Sequence, residues 1–245
     1  MARLSRVPLA GLQAGERTLE AKTARYLVDV LRLRAGDVFL AFDSDAQVEA
    51  DATLVEGSEG RATCVIGEVR RAPRALATGI VLVQALGKGD KTEQVVRSAT
   101  ALGVAEVHLV ESARSVARAG ERSDAKRARL ESIALDAARQ CGRGDVPKIT
   151  GPHALARELA EWREVPALKL CLVPGAARSL HSLTEGWTVG SPIALLVGPE
   201  GGLAEEELVA AEAAGFVAAR FGELVLRTEI AGVAALGALL LLAQR

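Results

Sequence analysis

From Gly79 onward the chain alternates between short apolar runs and amphipathic segments, and this alternation limits the fold more than any other feature. Gly79-Ile-Val-Leu-Val-Gln-Ala85, Val104 to Val110, Leu168 to Val173 and Ile193 to Val197 are runs of strand length. Their near-continuous apolar character is that of strands covered on both faces. Helical spacing separates them. Lys91 to Leu102 places Val95, Val96, Ala99 and Leu102 on one face. A helix opening at Ser123-Asp124 carries the stripe Leu130, Ile133, Ala134, Ala137, Ala138 and Cys141. Glu205 to Ala214 reads as a helix stopped by Gly215, Ala218 to Phe221 as a strand, and Thr228 to Ala243 as a last helix. Strands that alternate with helices are joined by crossovers, so the expected fold is α/β, a parallel sheet with helices on both faces.

The first 70 residues have a different rhythm. Val38 to Phe42 is a short apolar strand ended by Asp43-Ser44-Asp45. Gln47 to Leu54 and Arg61 to Val69 alternate polar and apolar side chains, as half-buried strands do. Thr23 to Leu31 is helically spaced through Leu27, Val30 and Leu31. Short strands parted by Gly, Asp and Ser turns predict a small barrel or sandwich. Arg70-Arg-Ala-Pro-Arg74 reads as a linker, giving expected domains at residues 1–72 and 73–245.

Composition closes several routes. Aromatic residues are only 3%, so the core is aliphatic. A net charge of −1 excludes a globally basic nucleic-acid binder but leaves room for a local patch. Residues 75–150 hold 12 basic and 9 acidic side chains, whereas residues 151–245 hold 7 and 11. Any polyanion site is therefore expected in the first two thirds. Cys64, Cys141 and Cys171 are scattered and odd in number, which points to small buried residues in a reducing compartment and not to disulfides. The uncharged run Ile230 to Ala243 has 14 residues. A bilayer needs about 20, so no membrane span is expected. The N-terminal segment has no signal-peptide pattern, and a cytoplasmic location is expected.

Four segments could carry chemistry. Leu195-Leu-Val-Gly-Pro-Glu-Gly-Gly-Leu203 joins a buried strand to a helix, and its glycines admit a tight turn and a closely approaching ligand. A plain structural turn is the alternative, and the spacing is not that of a dinucleotide fingerprint. Phe221-Gly-Glu-Leu-Val-Leu-Arg-Thr-Glu229 also joins strand to helix, with Thr228 placed to cap it and Glu229 suited to its positive end. Arg227 adjoins apolar sequence, so it calls for a carboxylate, a phosphate or a substrate oxygen. Gln84-Ala-Leu-Gly-Lys-Gly-Asp-Lys-Thr92 lacks the pattern of a nucleotide-hydrolysing loop, though Lys88 and Lys91 could meet a polyanion. Arg114, Arg118, Arg122, Lys126, Arg127 and Arg129 form a basic run, either a nucleic-acid contact or a solvated cluster. His108, His153 and His181 have no metal-ligand spacing and read as structural or surface residues.

Taken together, these motifs resemble a known family. Val197-Gly-Pro-Glu-Gly-Gly-Leu203 followed by Leu224-Val-Leu-Arg-Thr-Glu229 is similar to the paired motifs of the RsmE family, uridine-N3 methyltransferases of small-subunit ribosomal RNA within the SPOUT superfamily. Gly87-Lys-Gly-Asp-Lys91, Leu102-Gly-Val104, Arg114-Ser-Val116 and Gln140-Cys-Gly-Arg143 with Pro147 match further family segments in order, and Tyr26 to Arg32 with Gly36-Asp37 fits the N-terminal part. The resemblance implies a SPOUT-type parallel sheet with a deep C-terminal trefoil knot, preceded by a small PUA-like RNA-binding β-barrel. It implies S-adenosylmethionine as cofactor, held by Leu172, Pro174, Val197, Gly198, Pro199, Gly201, Gly202, Gly222, Leu224, Leu226 and Thr228. It implies Arg227 and Glu229 as catalytic residues, and Arg3, Arg6, Lys88, Lys91, Arg114 and Arg143 as RNA contacts. The implied partners are 16S rRNA of the small ribosomal subunit and a second copy in a homodimer, with no metal. The chain departs from the family pattern at Ile230, where a threonine is usual, at Arg139, where an acid is usual, and at Leu130, where a tryptophan is common. Those departures keep two alternatives open: a ribose 2′-O methyltransferase of the same superfamily, and an RNA-binding ribosome-assembly factor without turnover.

Overall fold

The computed structural model describes residues 4–58, 61–72, 79–115, 123–188 and 190–243. It divides into two compact units, Met1–Ala75 with Ala138–Val146, and Leu76–Ala137 with Pro147–Arg245. The single boundary expected near residue 72 did not anticipate that residues 138–146 join the first unit.

The first unit contains β1 (Arg6–Pro8), β2 (Gly15–Leu19), the short helix α1 (Ala21–Arg25) with a π-helical turn at Tyr26–Val30, β3 (Val38–Asp43), β4 (Val48–Ser58), β5 (Arg61–Ile66) and β6 (Arg70–Arg71). The strands pair in the order β1-β3-β4-β5-β2, with β6 on β4. Among the described residues no ladder joins the edge strands β1 and β2, so the small barrel read from the sequence is an open one. One core joins β1 to β5 and the helical segment between β2 and β3: Val7, Leu19, Leu27, Phe39, Leu54 and Ile66 are buried together. Alternation explains the choice of face, since Ala62, Cys64 and Ile66 point inward while Arg61 and Val65 are exposed. The segment expected as a linker begins as a strand, because Arg70 and Arg71 pair with Glu49 and Val48, and Ala72 N donates to the Gln47 carbonyl at 3.0 Å; Pro73 and Arg74 lie outside the described residues.

Residues 138–146 join this unit through side-chain chemistry. The Arg139 guanidinium stacks over Tyr26 at 4.2 Å, and its Nε donates to the Arg6 carbonyl at 3.2 Å. The change from acid to base at residue 139 is therefore absorbed by an aromatic ring and a backbone carbonyl. Cys141, expected among buried cysteines, is exposed, because it occupies the last turn of its helix; Cys64 and Cys171 are buried.

The second unit holds β7 (Ile80–Ala85), α2 (Lys91–Ala101), β8 (Glu106–Glu111), most of α3 (Ser123–Cys141), β9 (Lys148–Ala154), α4 (Leu155–Trp162), β10 (Leu168–Leu172), α5 (Leu180–Leu183), β11 (Ile193–Val197), α6 (Glu205–Ala213), β12 (Val217–Ala219) and α7 (Thr228–Ala243). Its six strands form a wholly parallel sheet in the order β12-β10-β11-β7-β8-β9. The apolar runs occupy the middle of the sheet: every residue of β11 is buried, and β11 pairs with β7 from Ile193↔Ile80 to Val197↔Gln84. Chain order runs outward from β7 through β8 to β9, then restarts on its other side. That reversal at β7 and β11 is where open α/β sheets leave a crevice at their carboxyl ends. Among the described residues no helix is long and apolar enough to cross a membrane.

Candidate active site

Three loops leave the carboxyl ends of β10, β11 and β12 and enclose a cavity of about 480 Å³. That size is ordinary for a small-molecule site. Leu172 to Gly175 form one wall, Val197 to Glu200 with Gly202 and Leu203 a second, and Phe221 to Thr228 a third. The glycine positions have physical causes. A Cβ on Gly198 would stand 3.2 Å from both the Leu203 side chain and its backbone nitrogen, closer than side chains normally pack. Gly222 turns with a φ of 75°, a conformation that side-chain-bearing residues rarely adopt.

Hydrogen bonds hold these loops in register. The Thr228 hydroxyl donates to the Gly198 carbonyl at 2.6 Å and accepts from Gln84 Nε2 at 3.2 Å. Thr228 is the first residue of α7 and does not cap it, contrary to the sequence expectation. The carbonyl of Arg227 instead accepts the N–H groups of Ile230 and Ala231, each at 2.9 Å. Arg114 Nη1 donates to the carbonyls of Gly201 and Leu203 at 3.0 and 3.3 Å. Glu207 accepts from Ala204 N and Ala113 N at 2.9 and 2.7 Å, joining the start of α6 to the turn after β8.

The charges divide sharply. Lys91 Nζ lies 3.0 Å from Glu200 Oε1 and 3.5 Å from Glu229 Oε2. The hydrogen bond to Glu200, reinforced by both carboxylate charges, raises the lysine's pKa. Burial would raise the pKa of Glu200, but the Lys88 N–H and the Lys91 ammonium outweigh it and hold the carboxyl below its usual range. Arg227 also lines the cavity, is exposed, and has no carboxylate partner among the described residues.

Of the residues expected to hold a cofactor, Leu172, Pro174, Val197, Gly198, Pro199, Gly202, Gly222, Leu224, Leu226 and Thr228 line this cavity. Gly201 does not; its carbonyl is held by Arg114. Of the two expected catalytic residues, Arg227 lines the cavity and Glu229 does not. Sequence reasoning missed Glu200, although it stands inside the glycine loop, where a carboxylate beside an exposed turn is a local signal.

The expected RNA contacts separate into two groups. Lys88 and Arg114 are exposed, whereas Lys91 is engaged by two carboxylates. Arg6 and Arg143, also expected as RNA contacts, are both buried. Arg6 Nη1 donates to Glu49 at 2.9 Å, and Arg143 makes a two-pronged bond to Asp145 at 2.9 and 2.7 Å. A guanidinium buried against a carboxylate is not offered to solvent phosphate. Arg3, Arg118 and Arg122 lie outside the described residues. Arg127 and Arg129 face Asp124, Glu131 and Glu93.

His108 and His153 are structural, as expected, and share one carboxylate. Glu158 receives His108 Nδ1 at 2.6 Å, His153 Nε2 at 2.5 Å and Trp162 Nε1 at 2.7 Å. Burial would raise the Glu158 pKa, but the bonds and charge from these donors, His108 foremost, hold it at about 2. His181 is exposed, and no group of three or more potential metal ligands exists among the described residues.

A parallel α/β sheet with a glycine-walled cavity at the carboxyl ends of its strands, and Arg227 beside it without a carboxylate partner among the described residues, is the arrangement of a small-molecule-binding α/β protein. Sequence comparison narrows the class. The profile of RNA methyltransferase domains matches residues 74–240, and that of RNA methyltransferase PUA domains matches residues 19–67. The chain belongs to the RNA methyltransferase family. A relative from Bacillus subtilis named ribosomal RNA small subunit methyltransferase E is 28% identical over 227 residues, covering 91% of this chain and 88% of its own length. A protein of the same name from Mycobacterium tuberculosis is 35% identical over 170 residues, 68% of this chain and 64% of its own. The crystal structure of a ribosomal RNA small subunit methyltransferase E from Neisseria gonorrhoeae, bound to S-adenosyl methionine, superposes with a TM-score of 0.89 at 29% identity, over 98% of each chain. These relatives carry the family name that the motifs of this chain resemble.

Proposed function

We propose that this chain transfers the methyl group of S-adenosylmethionine to N3 of a uridine in 16S rRNA of the small ribosomal subunit, acting in the cytoplasm as a homodimer. The observation that carries this reading is the cavity at the ends of β10, β11 and β12, lined by the glycine and Leu-Arg-Thr motifs in a chain of the RNA methyltransferase family. Its walls suit the donor. Backbone is exposed at Gly198, Gly202 and Gly222, where no Cβ narrows the space, and Leu172, Val197 and Leu226 offer apolar surface to an adenosine. Glu200 and Glu223 place negative charge at a site meant for a cation. When bound, the donor supplies an electrophilic methyl group on a sulfonium.

The acceptor nitrogen must lose its proton, and negative charge then spreads onto the uracil carbonyl oxygens. Arg227 is the side chain suited to that charge, since it lines the cavity and no carboxylate among the described residues pairs with it. Glu229 sits behind Lys91 and serves to hold that lysine. A base methylated at N3 has to leave its stack, and the exposed Leu224 and Val225 at the cavity rim would receive it. Residues 1–72, read as the RNA-binding part, with Lys88 beside the cavity, would hold the RNA backbone. The apolar side chains that α7 leaves exposed, Ile230 and Leu241, suit a second copy of the chain. The trefoil knot implied by the resemblance belongs to the same reading. Calorimetric titration with S-adenosylmethionine tests the donor half: saturable binding, one donor per chain, is expected, and no binding at millimolar donor contradicts it.

A further inference from the structure

Lys91 joins three loops that are distant in sequence. It opens α2 after β7, Glu200 belongs to the loop after β11, and Glu229 lies in the first turn of α7. The other acids near it on α2 face elsewhere: Asp90 accepts from Gln94 at 2.9 Å, and Glu93 holds Arg129 at 2.7 Å. Glu229 Oε2 is buried and has no hydrogen-bond partner, so Lys91 is the cation that compensates it. The backbone is shaped around this contact, because a Cβ on Gly87 would meet the Lys91 side chain at 3.1 Å and Glu200 Oε1 at 3.6 Å. Lys88, three residues earlier, is exposed and contributes its backbone N–H, not its ammonium, to Glu200.

We propose that Lys91 is a positioning residue, a strut that ties Glu200 on the glycine loop to Glu229 on α7 and so fixes the donor-side loop against the helix that begins after Arg227. What the strut serves rests on the methyltransferase reading; the strut itself does not. A lysine engaged by two carboxylates has little charge to offer a phosphate, so the RNA contact in this turn falls to Lys88.

Full-length K91M, K91R and K88M are compared with the wild type in two measurements. Carboxyl titration of ¹³C-glutamate-labelled protein by NMR reads the strut without any activity. The Glu200 midpoint is expected to rise by roughly half a pH unit or more in K91M, to stay near the wild type in K91R, and not to move in K88M. Kinetics on rRNA then read its purpose. K91M is expected to lose at least about tenfold in kcat, with RNA affinity and its salt dependence retained, and K91R to recover most of the loss. K88M is expected to raise KM for RNA. An unmoved Glu200 midpoint in K91M overturns the proposal, and so does a K91M enzyme with wild-type kcat and weakened RNA binding. If the wild type methylates no rRNA while the midpoint still moves in K91M, the strut stands and the methyltransferase reading falls.

Discussion

The Thr228 hydroxyl donates to the Gly198 carbonyl across 2.6 Å, tying the first residue of the last helix to the first residue of the glycine loop. Thr228 is largely buried, and Gln84 Nε2 completes its hydrogen bonding. Replacing it by valine keeps the shape and removes the bond, leaving the Gly198 carbonyl unmatched at a cost of about 1–2 kcal/mol. Thr228→Val should therefore bind S-adenosylmethionine about tenfold more weakly by calorimetry, and Thr228→Ser should stay near the wild type. Equal affinities for all three would show that this tie does not shape the donor site.

Gly198 tests the cavity wall. An alanine there would push against Leu203, whose side chain and backbone nitrogen both stand 3.2 Å from the new methyl. Leu203 is itself buried, so it has little room to yield. Gly198→Ala should keep its circular dichroism spectrum and lose at least about tenfold in donor affinity, since overpacking costs about 1–3 kcal/mol.

Arg227 tests the chemistry. It is exposed and has no carboxylate partner among the described residues, so its removal should change stability by less than about 0.5 kcal/mol. If it stabilises charge on the uracil, Arg227→Ala should lower kcat by about 10²–10³ with an unchanged melting temperature. A variant that melts early, or keeps its kcat, contradicts that role.

The Glu158 cluster sets a pH window for stability. Its carboxyl, held at about 2 when folded against an ordinary 4.5, stabilises above pH 4.5 and loses that contribution as pH falls toward 2. The pKa of His108 moves the other way: burial lowers it, but its bonds to Glu158 and Glu106 outweigh this and raise it above 6.5. Its share is full below pH 6.5 and fades as pH climbs through the raised value. The melting-temperature gap between wild type and Glu158→Gln should thus be widest between about pH 4.5 and 6.5, and should narrow on both sides. Breaking a buried pair costs about 3 kcal/mol, so the gap should be several degrees. A gap that does not vary with pH would show that the bonds to Glu158 do not depend on charge.

The arginines and lysines divide by burial. Arg143→Ala should destabilise the protein by about 3 kcal/mol, because it removes a buried guanidinium and its two-pronged bond to Asp145. Lys88→Ala should leave stability unchanged, weaken RNA binding, and reduce the slope of log affinity against log salt by about one. The reverse pattern would return Arg143 to the RNA-contacting surface.

What could be read from the sequence was local or periodic. The apolar run of β11 and the bounds of α7 from Thr228 to Ala243 followed from pattern alone, because burial on both faces leaves a continuous apolar signature. The glycine loops were visible because a strand end, a turn and a helix start lie in one stretch. Pairings across the fold were not. His108 meets Glu158 fifty residues away, and Lys91 meets Glu200 and Glu229 from two other loops. No periodicity encodes such partners. Arg143 was different, since Asp145 two residues on could have warned that its charge was engaged. Strands β1 and β2 escaped because they are 3 and 5 residues long, and β2 exposes all but one of its side chains at least in part.

On the proposed function, this cavity delivers a methyl group to N3 of a uridine in small-subunit rRNA. The most direct test incubates the protein with S-adenosylmethionine and unmodified small ribosomal subunits, digests the RNA and identifies the nucleosides by mass spectrometry. N3-methyluridine is expected, formed by the wild type and not by a folded Arg227→Ala variant. Ribose 2′-O-methyl nucleosides, or no methylated product from subunits or free rRNA despite donor binding, would contradict it.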